Sequence, residues 1–166
     1  MKERVIVECA GGVVIVPQMP LLDRSDGGHL VVNPPRSVWE RSELTQLEVA
    51  NWACLTAAVG GAMLDCLPQL EGGCVNYWEA GNWSLAEMAH PPGPKVPKQH
   101  RRVHLHLFGR SREARHPDWQ WGESPRFPSY ENSKAWAANF KPLSAGECDA
   151  LRQRILALLQ TKYKSS

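Results

Sequence analysis

One stretch constrains this chain more than any other: Arg102-Val103-His104-Leu105-His106-Leu107-Phe108-Gly109-Arg110. Apolar and polar residues alternate along it, and strand side chains point to opposite faces in turn. Val103, Leu105 and Leu107 are therefore assigned to a core, and Arg102, His104 and His106 to the opposite face. At a rise of about 3.4 Å per residue the two imidazoles are expected about 7 Å apart along the strand. Three groups able to carry positive charge on one strand face point to an anion as ligand, with phosphate the first choice.

The surrounding sequence supplies a sheet for this strand. Arg4 to Cys9 and Val13 to Val16 are β-branched runs joined by Ala10-Gly11-Gly12, a turn signal. The polar, glycine-rich Asp23 to Gly28 is a loop, and His29 to Asn33 is a third strand stopped by Pro34-Pro35. Thr45 and Glu48 have the spacing of a capping box. Leu47, Ala50, Cys54, Ala57, Gly61 and Leu64 recur at helical steps, which predicts a helix to about Leu67 with those residues as its apolar face. Gly60-Gly61 within it points to close approach of the sheet. Cys74 to Trp78 is a further strand with a turn at Gly81-Asn82, and Pro91 to Pro97 is a semi-rigid loop.

After residue 110 the pattern changes. Trp119, Trp121, Phe127, Tyr130, Trp136 and Phe140 follow no regular step. We expect a wrapping arm anchored by aromatics, with a short helix near Glu131 to Asn139. Ser144 and Glu147 form a second capping box, and Cys148, Leu151, Ile155 and Leu158 line one face of a final helix. Strands and helices do not alternate regularly, so the fold class is α+β, an antiparallel sheet with packed helices. Residues 1–110 form the main domain, and 111–166 an arm and helix packed on it.

With 166 residues the chain has room for one ordinary domain. A net charge of +2 argues against a broad electrostatic nucleic-acid binder, so no stable nucleic-acid partner is expected. No uninterrupted apolar run approaches the roughly 20 residues of a bilayer span, and Met1-Lys2-Glu3-Arg4 is mixed in charge. The expectation is a cytoplasmic protein with no membrane partner. The five cysteines show no C-x-x-C spacing and are read as small buried hydrophobes in a reducing compartment.

The residues alone leave three roles for the paired histidines. A neutral imidazole can attack phosphorus near neutral pH while its neighbour donates to a phosphoryl oxygen. A strand H-x-H can instead chelate zinc, given a third ligand such as His29 or His100. Or both are surface histidines on an exposed sheet face. Trp78 and Trp83 are read as packing of the strand end, with stacking on a nucleobase as the alternative.

The flanking residues resemble a known family. His104 to Arg110 is similar to the signature strand of the histidine-triad family, His-φ-His-φ-His-φ-φ followed by a glycine and a basic residue. His104 takes the middle histidine's place and His106 the third. Gly28 to Arg36 resembles the upstream strand end, and Asn76 and Gly81 resemble the asparagine-to-glycine segment before the signature. The resemblance covers roughly residues 5 to 110. It implies a nucleotide hydrolase or nucleotidyl transferase, paired as a two-fold homodimer and requiring neither metal nor other cofactor. In it His104 attacks the α-phosphate, His106 holds a phosphate oxygen, His29 lies near the phosphate, and Asn76 positions the nucleotide. The aromatic segment Trp119 to Phe140, with no visible core of its own, is a second reason to expect a dimer.

Two departures from the pattern matter. The first triad histidine is Arg102, which adds a planar fork suited to phosphate but shuttles no proton at neutral pH. Its backbone carbonyl can still fix the nucleophile's tautomer, and leaving-group protonation would be lost or would pass to His29 or His100. The other departure is the longer Asn82 to Gln99 stretch in place of a short polar turn. A non-catalytic nucleotide- or phosphate-binding protein, or a metal-binding protein using His104 and His106, are the alternatives.

Overall fold

The computed structural model describes residues 4–163; the mixed-charge Met1-Lys2-Glu3 start lies outside them. Five strands form one antiparallel sheet: β1 (Arg4–Cys9), β2 (Gly12–Val16), β3 (His29–Asn33), β4 (Cys74–Ala80) and β5 (His104–Arg110), in the order β1-β2-β3-β5-β4. The helices are α1 (Gln46–Cys66), α2 (Pro97–His100), α3 (Ser133–Ala137) and α4 (Ala145–Thr161). The class is α+β, as the irregular alternation of elements implies.

Both capping boxes form. The Glu48 amide donates to Thr45 Oγ1 while the Thr45 amide donates to Glu48 Oε2, and Ser144 and Glu147 repeat the arrangement on α4. Each satisfies two amides that the first helical turn leaves without partners. α4 buries the expected Cys148, Leu151, Ile155 and Leu158. It packs against α1 and β1, so it shares the main core.

The apolar face expected for α1 is a correction. Leu47 is 67% exposed, Ala50 and Leu64 are exposed, and Cys54, Ala57 and Gly61 are only partly covered. The buried face is Trp52, Leu55, Thr56, Ala58, Val59, Gly60, Ala62 and Met63. This helix is apolar almost all round, so two stripes compete, and the one with the larger side chains is buried because it removes more area from water. By length and composition α1 would suit a membrane span, yet that face packs on the sheet. Gly60 does meet the sheet: a Cβ there would lie 1.9 Å from the Tyr77 hydroxyl of β4, so any larger residue would have to push that ring aside.

The sheet separates two environments. Leu30, Val32, Val103, Leu105 and Leu107 face α1 and α4 and are buried in the main core. The other face is covered at one end by the arm, where Leu21, Leu22, Phe108 and Trp119 form a second core with Phe127 and Trp136 against it. The aromatic arm therefore has a core, built on its own sheet, which removes it as a reason to expect a dimer. Two buried charges fasten it. Asp26 accepts the amides of Arg115 and His116, and Arg110, 4% exposed, donates to the carbonyls of Gln120 and Glu123. The expected short helix is α3.

Candidate functional site

β5 begins two residues later than the alternation suggests. The Val103 amide donates to the Val38 carbonyl, outside the sheet ladder, and pairing with β4 starts at Ala80 opposite His104. Arg102 thus precedes the strand, but its carbonyl still reaches the site. Further along, Gly109 and Gly27 bring two backbones together: a Cβ on either would lie within 2.2 Å of the other's carbonyl oxygen. The Gly109 amide donates to the Gly28 carbonyl, which leads directly into His29.

Three histidines meet on the face opposite the main core. His29 Nε2 lies 2.8 Å from His106 Nδ1, and His106 Nε2 lies 3.0 Å from His104 Nε2. The His104 and His106 ring centroids are 4.7 Å apart, closer than the strand rise alone suggests, because the side chains lean together. At the inner end the Leu21 amide meets His29 Nδ1 at 3.1 Å. At the outer end His104 Nδ1 meets the Arg102 carbonyl at 2.9 Å.

These two ends fix every tautomer between them. A backbone amide only donates, so His29 Nδ1 accepts and a neutral His29 carries its proton on Nε2. That proton goes to His106 Nδ1, so His106 carries its own on Nε2 and donates it to His104 Nε2. Counting from the other end, a carbonyl only accepts, so His104 holds its proton on Nδ1 and presents a lone pair on Nε2. Both counts agree, and three neutral imidazoles satisfy all four bonds in one direction.

Electrostatics disfavour charge on the two inner rings, His29 and His106. Burial, reinforced by His106 and His104, pushes His29 well below the ordinary histidine value. His106 is pushed down to about 3 by burial and by repulsion from His104. Phe108 supports both rings, stacking on His29 at 4.4 Å and lying nearly parallel to His106 at 5.7 Å.

The array opens into a cleft of about 410 Å³ lined by His100, Arg102, His104, His106 and Phe108 on one side and by Leu21, Trp78, Ala80, Trp83 and Phe127 around it. Arg102 donates to the carbonyls of Lys98 and Arg101. Among the described residues it has no carboxylate partner, whereas Arg36, Arg41 and Arg101 each have one. His100 Nδ1 is tied to the backbone of Val96.

Of the residues singled out in the sequence, His104, His106 and Arg102 come together at the cleft. His29, expected near the phosphate, is 2% exposed and stands behind His106, where it orients that ring. Asn76, expected to position a nucleotide, shares the sheet face but lies opposite Phe108 and does not line the cleft; its Oδ1 accepts from Arg110. No group of three or more histidine, cysteine or acidic side chains among the described residues is arranged to hold a metal. Sequence reasoning missed Leu21, whose contribution is a backbone amide, and Phe127, which reaches the cleft only through the path of the arm.

No model of a known protein family matches the sequence, and neither does any curated protein. Among solved structures, a hypothetical histidine triad nucleotide-binding protein from Sulfolobus tokodaii strain 7 matches with a TM-score of 0.51 at 16% identity, covering 100% of this chain and 93% of that one. At that identity the likeness shows the fold, and the chain has a histidine-triad-like α+β fold.

Proposed function

We propose that this protein is a hydrolase or nucleotidyl transferase acting at the α-phosphate of a nucleotide, with His104 as nucleophile. The observation that carries the reading is the fixed tautomer of His104, whose Nδ1–H is held by the Arg102 carbonyl while its Nε2 lone pair is turned into the cleft-side bond with His106. The name of the structural neighbour, a nucleotide-binding protein, supports the same substrate class.

In this mechanism His104 Nε2 forms a bond to phosphorus, and the leaving group departs with its electron pair. The His106 Nε2–H, released from His104, turns to a phosphoryl oxygen and stabilises the charge that develops there. Arg102 adds a fixed positive charge beside it. Leaving-group protonation is assigned to His100, which lines the cleft, since His29 is sealed behind His106. Water or another acceptor then breaks the phosphorus–nitrogen bond and restores His104.

The test is a panel of adenosine and guanosine phosphoramidates and dinucleoside polyphosphates, followed by release of the nucleoside monophosphate. Turnover of one class supports the reading. Tight binding of nucleotides with no turnover of any would favour the binding-only alternative, for which Arg102 in place of the first histidine is the specific observation. Zinc in stoichiometric amount in untagged protein would favour the metal reading.

The proposal extends to assembly as a two-fold homodimer in the cytoplasm. Its support is the outer edge of β4, unpaired in the sheet order, beside the exposed Tyr77 and the exposed small-residue side of α1. Light scattering at micromolar protein should give twice the chain mass; a monomer would overturn this part.

A further inference from the structure

The inner end of the histidine array hangs on a segment that belongs to no strand or helix. Residues 17–22 lie between β2 and β3, and Pro17 and Pro20 have no amide hydrogen to pair. Yet the Leu21 amide makes His29 Nδ1 an acceptor and so gives the array its direction. What fixes this amide comes from the arm. The Leu21 carbonyl accepts the indole N–H of Trp136 at 3.0 Å, across 115 residues of sequence. Trp136 belongs to α3 and does not line the cleft. Its ring lies 4.7 Å from that of His116 and 6.1 Å from that of Phe140. The His116 amide is bound in turn by the buried Asp26, so the charge that fastens the arm also seats this indole. One path of hydrogen bonds therefore runs from Trp136 through the Leu21 backbone to His29, His106, His104 and the Arg102 carbonyl.

We propose that Trp136 is a positioning residue: its indole N–H holds Leu21 in place and, through Leu21 and His29, keeps the His106 Nε2–H turned toward the site. Without the Leu21 amide, His29 is free to carry its proton on Nδ1. Its Nε2 then accepts from His106 Nδ1, and His106 presents a bare nitrogen where a phosphoryl oxygen needs a donor. That nitrogen also faces the bare Nε2 of His104, so the reversed array has one bond fewer. The Arg102 carbonyl still fixes the outer end, so loss of the Leu21 anchor shifts the population only in part. Trp119 provides a matched control. It is fully buried in the same aromatic core, and its Nε1 has no hydrogen-bond partner among the described residues. Replacing either tryptophan by phenylalanine removes a similar ring volume, but only at 136 does a hydrogen bond go with it.

The test is nitrogen NMR of the histidine rings, which reads the tautomers directly, on the wild type, Trp136→Phe and Trp119→Phe, with nucleotide turnover measured on the same proteins. His29 and His106 should carry their protons on Nε2 in the wild type and in Trp119→Phe. In Trp136→Phe a measurable fraction should move to Nδ1 at both rings. Its kcat on the best nucleotide substrate should fall about tenfold with KM within about twofold, a share of the roughly hundredfold to thousandfold that removal of a transition-state donor costs. The turnover arm rests on the histidine mechanism proposed above, and the spectra do not. Tautomers shifted only in Trp136→Phe, in a protein that turns over no nucleotide, would uphold the hold of Trp136 on the array and remove the catalytic reading. Unchanged tautomers in Trp136→Phe, or equal shifts in both variants, would overturn the proposal, and so would shifted tautomers with an unchanged kcat. Should Trp136→Phe unfold, benzothienylalanine at position 136 keeps the bicyclic ring and removes only the N–H; wild-type tautomers in that protein would overturn the proposal as well.

Discussion

Along β5 and the two residues before it, side chains of alternating type serve opposite purposes. Val103, Leu105 and Leu107 are buried against α1 and α4, and their identity is set by volume. One residue along in each case, Arg102, His104 and His106 line a cleft, and their identity is set by where protons sit. The apolar face tolerates exchange of one aliphatic for another at small cost. The histidine face tolerates none that breaks the directed array from the Leu21 amide to the Arg102 carbonyl. A single strand thus couples a rigid support to a polar site, and the same pleat serves both.

Substitutions on the two faces should separate function from stability. His104→Ala should lower turnover at least about a thousandfold, since deleting the proposed nucleophile would remove the covalent step. Its unfolding midpoint in urea should stay near wild type. Near-normal rates on the best substrate would show that the reaction does not pass through this ring. The mirror experiment is Leu107→Ala, three residues further along on the opposite face and fully buried. It should cost about 2–5 kcal/mol of stability by transfer and cavity terms, measured by urea unfolding, with kcat per folded molecule largely kept.

Arg102 sharpens the contrast because it borders the cleft without belonging to the strand. A charge-assisted contact to phosphate contributes about 1.5–3 kcal/mol, so Arg102→Ala should weaken nucleotide binding about tenfold to a hundredfold. Arg102→His restores the full triad pattern. Retained or raised activity in that variant would mean that Arg102 merely replaces a histidine, and lost activity that it serves a substrate of its own. Unchanged affinity in Arg102→Ala would exclude phosphate contact by this side chain.

The two inner histidines also predict a pH dependence of stability. His106 in the fold is held at about 3, below the ordinary value of 6.5, and His29 is lowered too. As pH falls below about 6.5 the unfolded chain takes up protons that the folded chain refuses. The stability contributed by these groups is therefore full above pH 6.5 and declines toward pH 3. For His106 the loss is about 2 kcal/mol between pH 6.5 and 5, at about 1.4 kcal/mol per pH unit. Urea unfolding at several pH values should show this slope, and His106→Asn should reduce it by that amount. An unchanged slope in the variant would mean that His106 is not buried in neutral form.

Much of this architecture is legible in the sequence, and the exceptions have physical reasons. Capping boxes at Thr45 and Ser144 and the alternation of β5 are local patterns, and local patterns survive folding. α1 misleads because alanine, glycine and valine surround it, so period alone leaves two candidate faces and residue volume decides. The arm is opaque because its anchors are long-range: Asp26 and Arg110 read as a loop acid and a strand-end base, and only the fold brings them to the backbone of residues 115–123. In the site, the histidine pair and Arg102 are visible as a motif. The position of His29 behind His106, the exclusion of Asn76 and the part played by the Leu21 amide depend on register between strands, which a single sequence does not display. The tautomer support expected from the Arg102 carbonyl is present, because a backbone group is there whatever side chain the residue carries.

The central claim is that His104 Nε2 forms a bond to phosphorus. The most direct measurement is rapid quenching of the protein with its best nucleotide substrate into alkaline denaturant, where a phosphorus–nitrogen bond persists, followed by peptide mass spectrometry. The account predicts a nucleoside monophosphate adduct on His104, absent in His104→Ala and accumulating on the timescale of turnover. Turnover without any adduct, or an adduct on His106 instead, would contradict it.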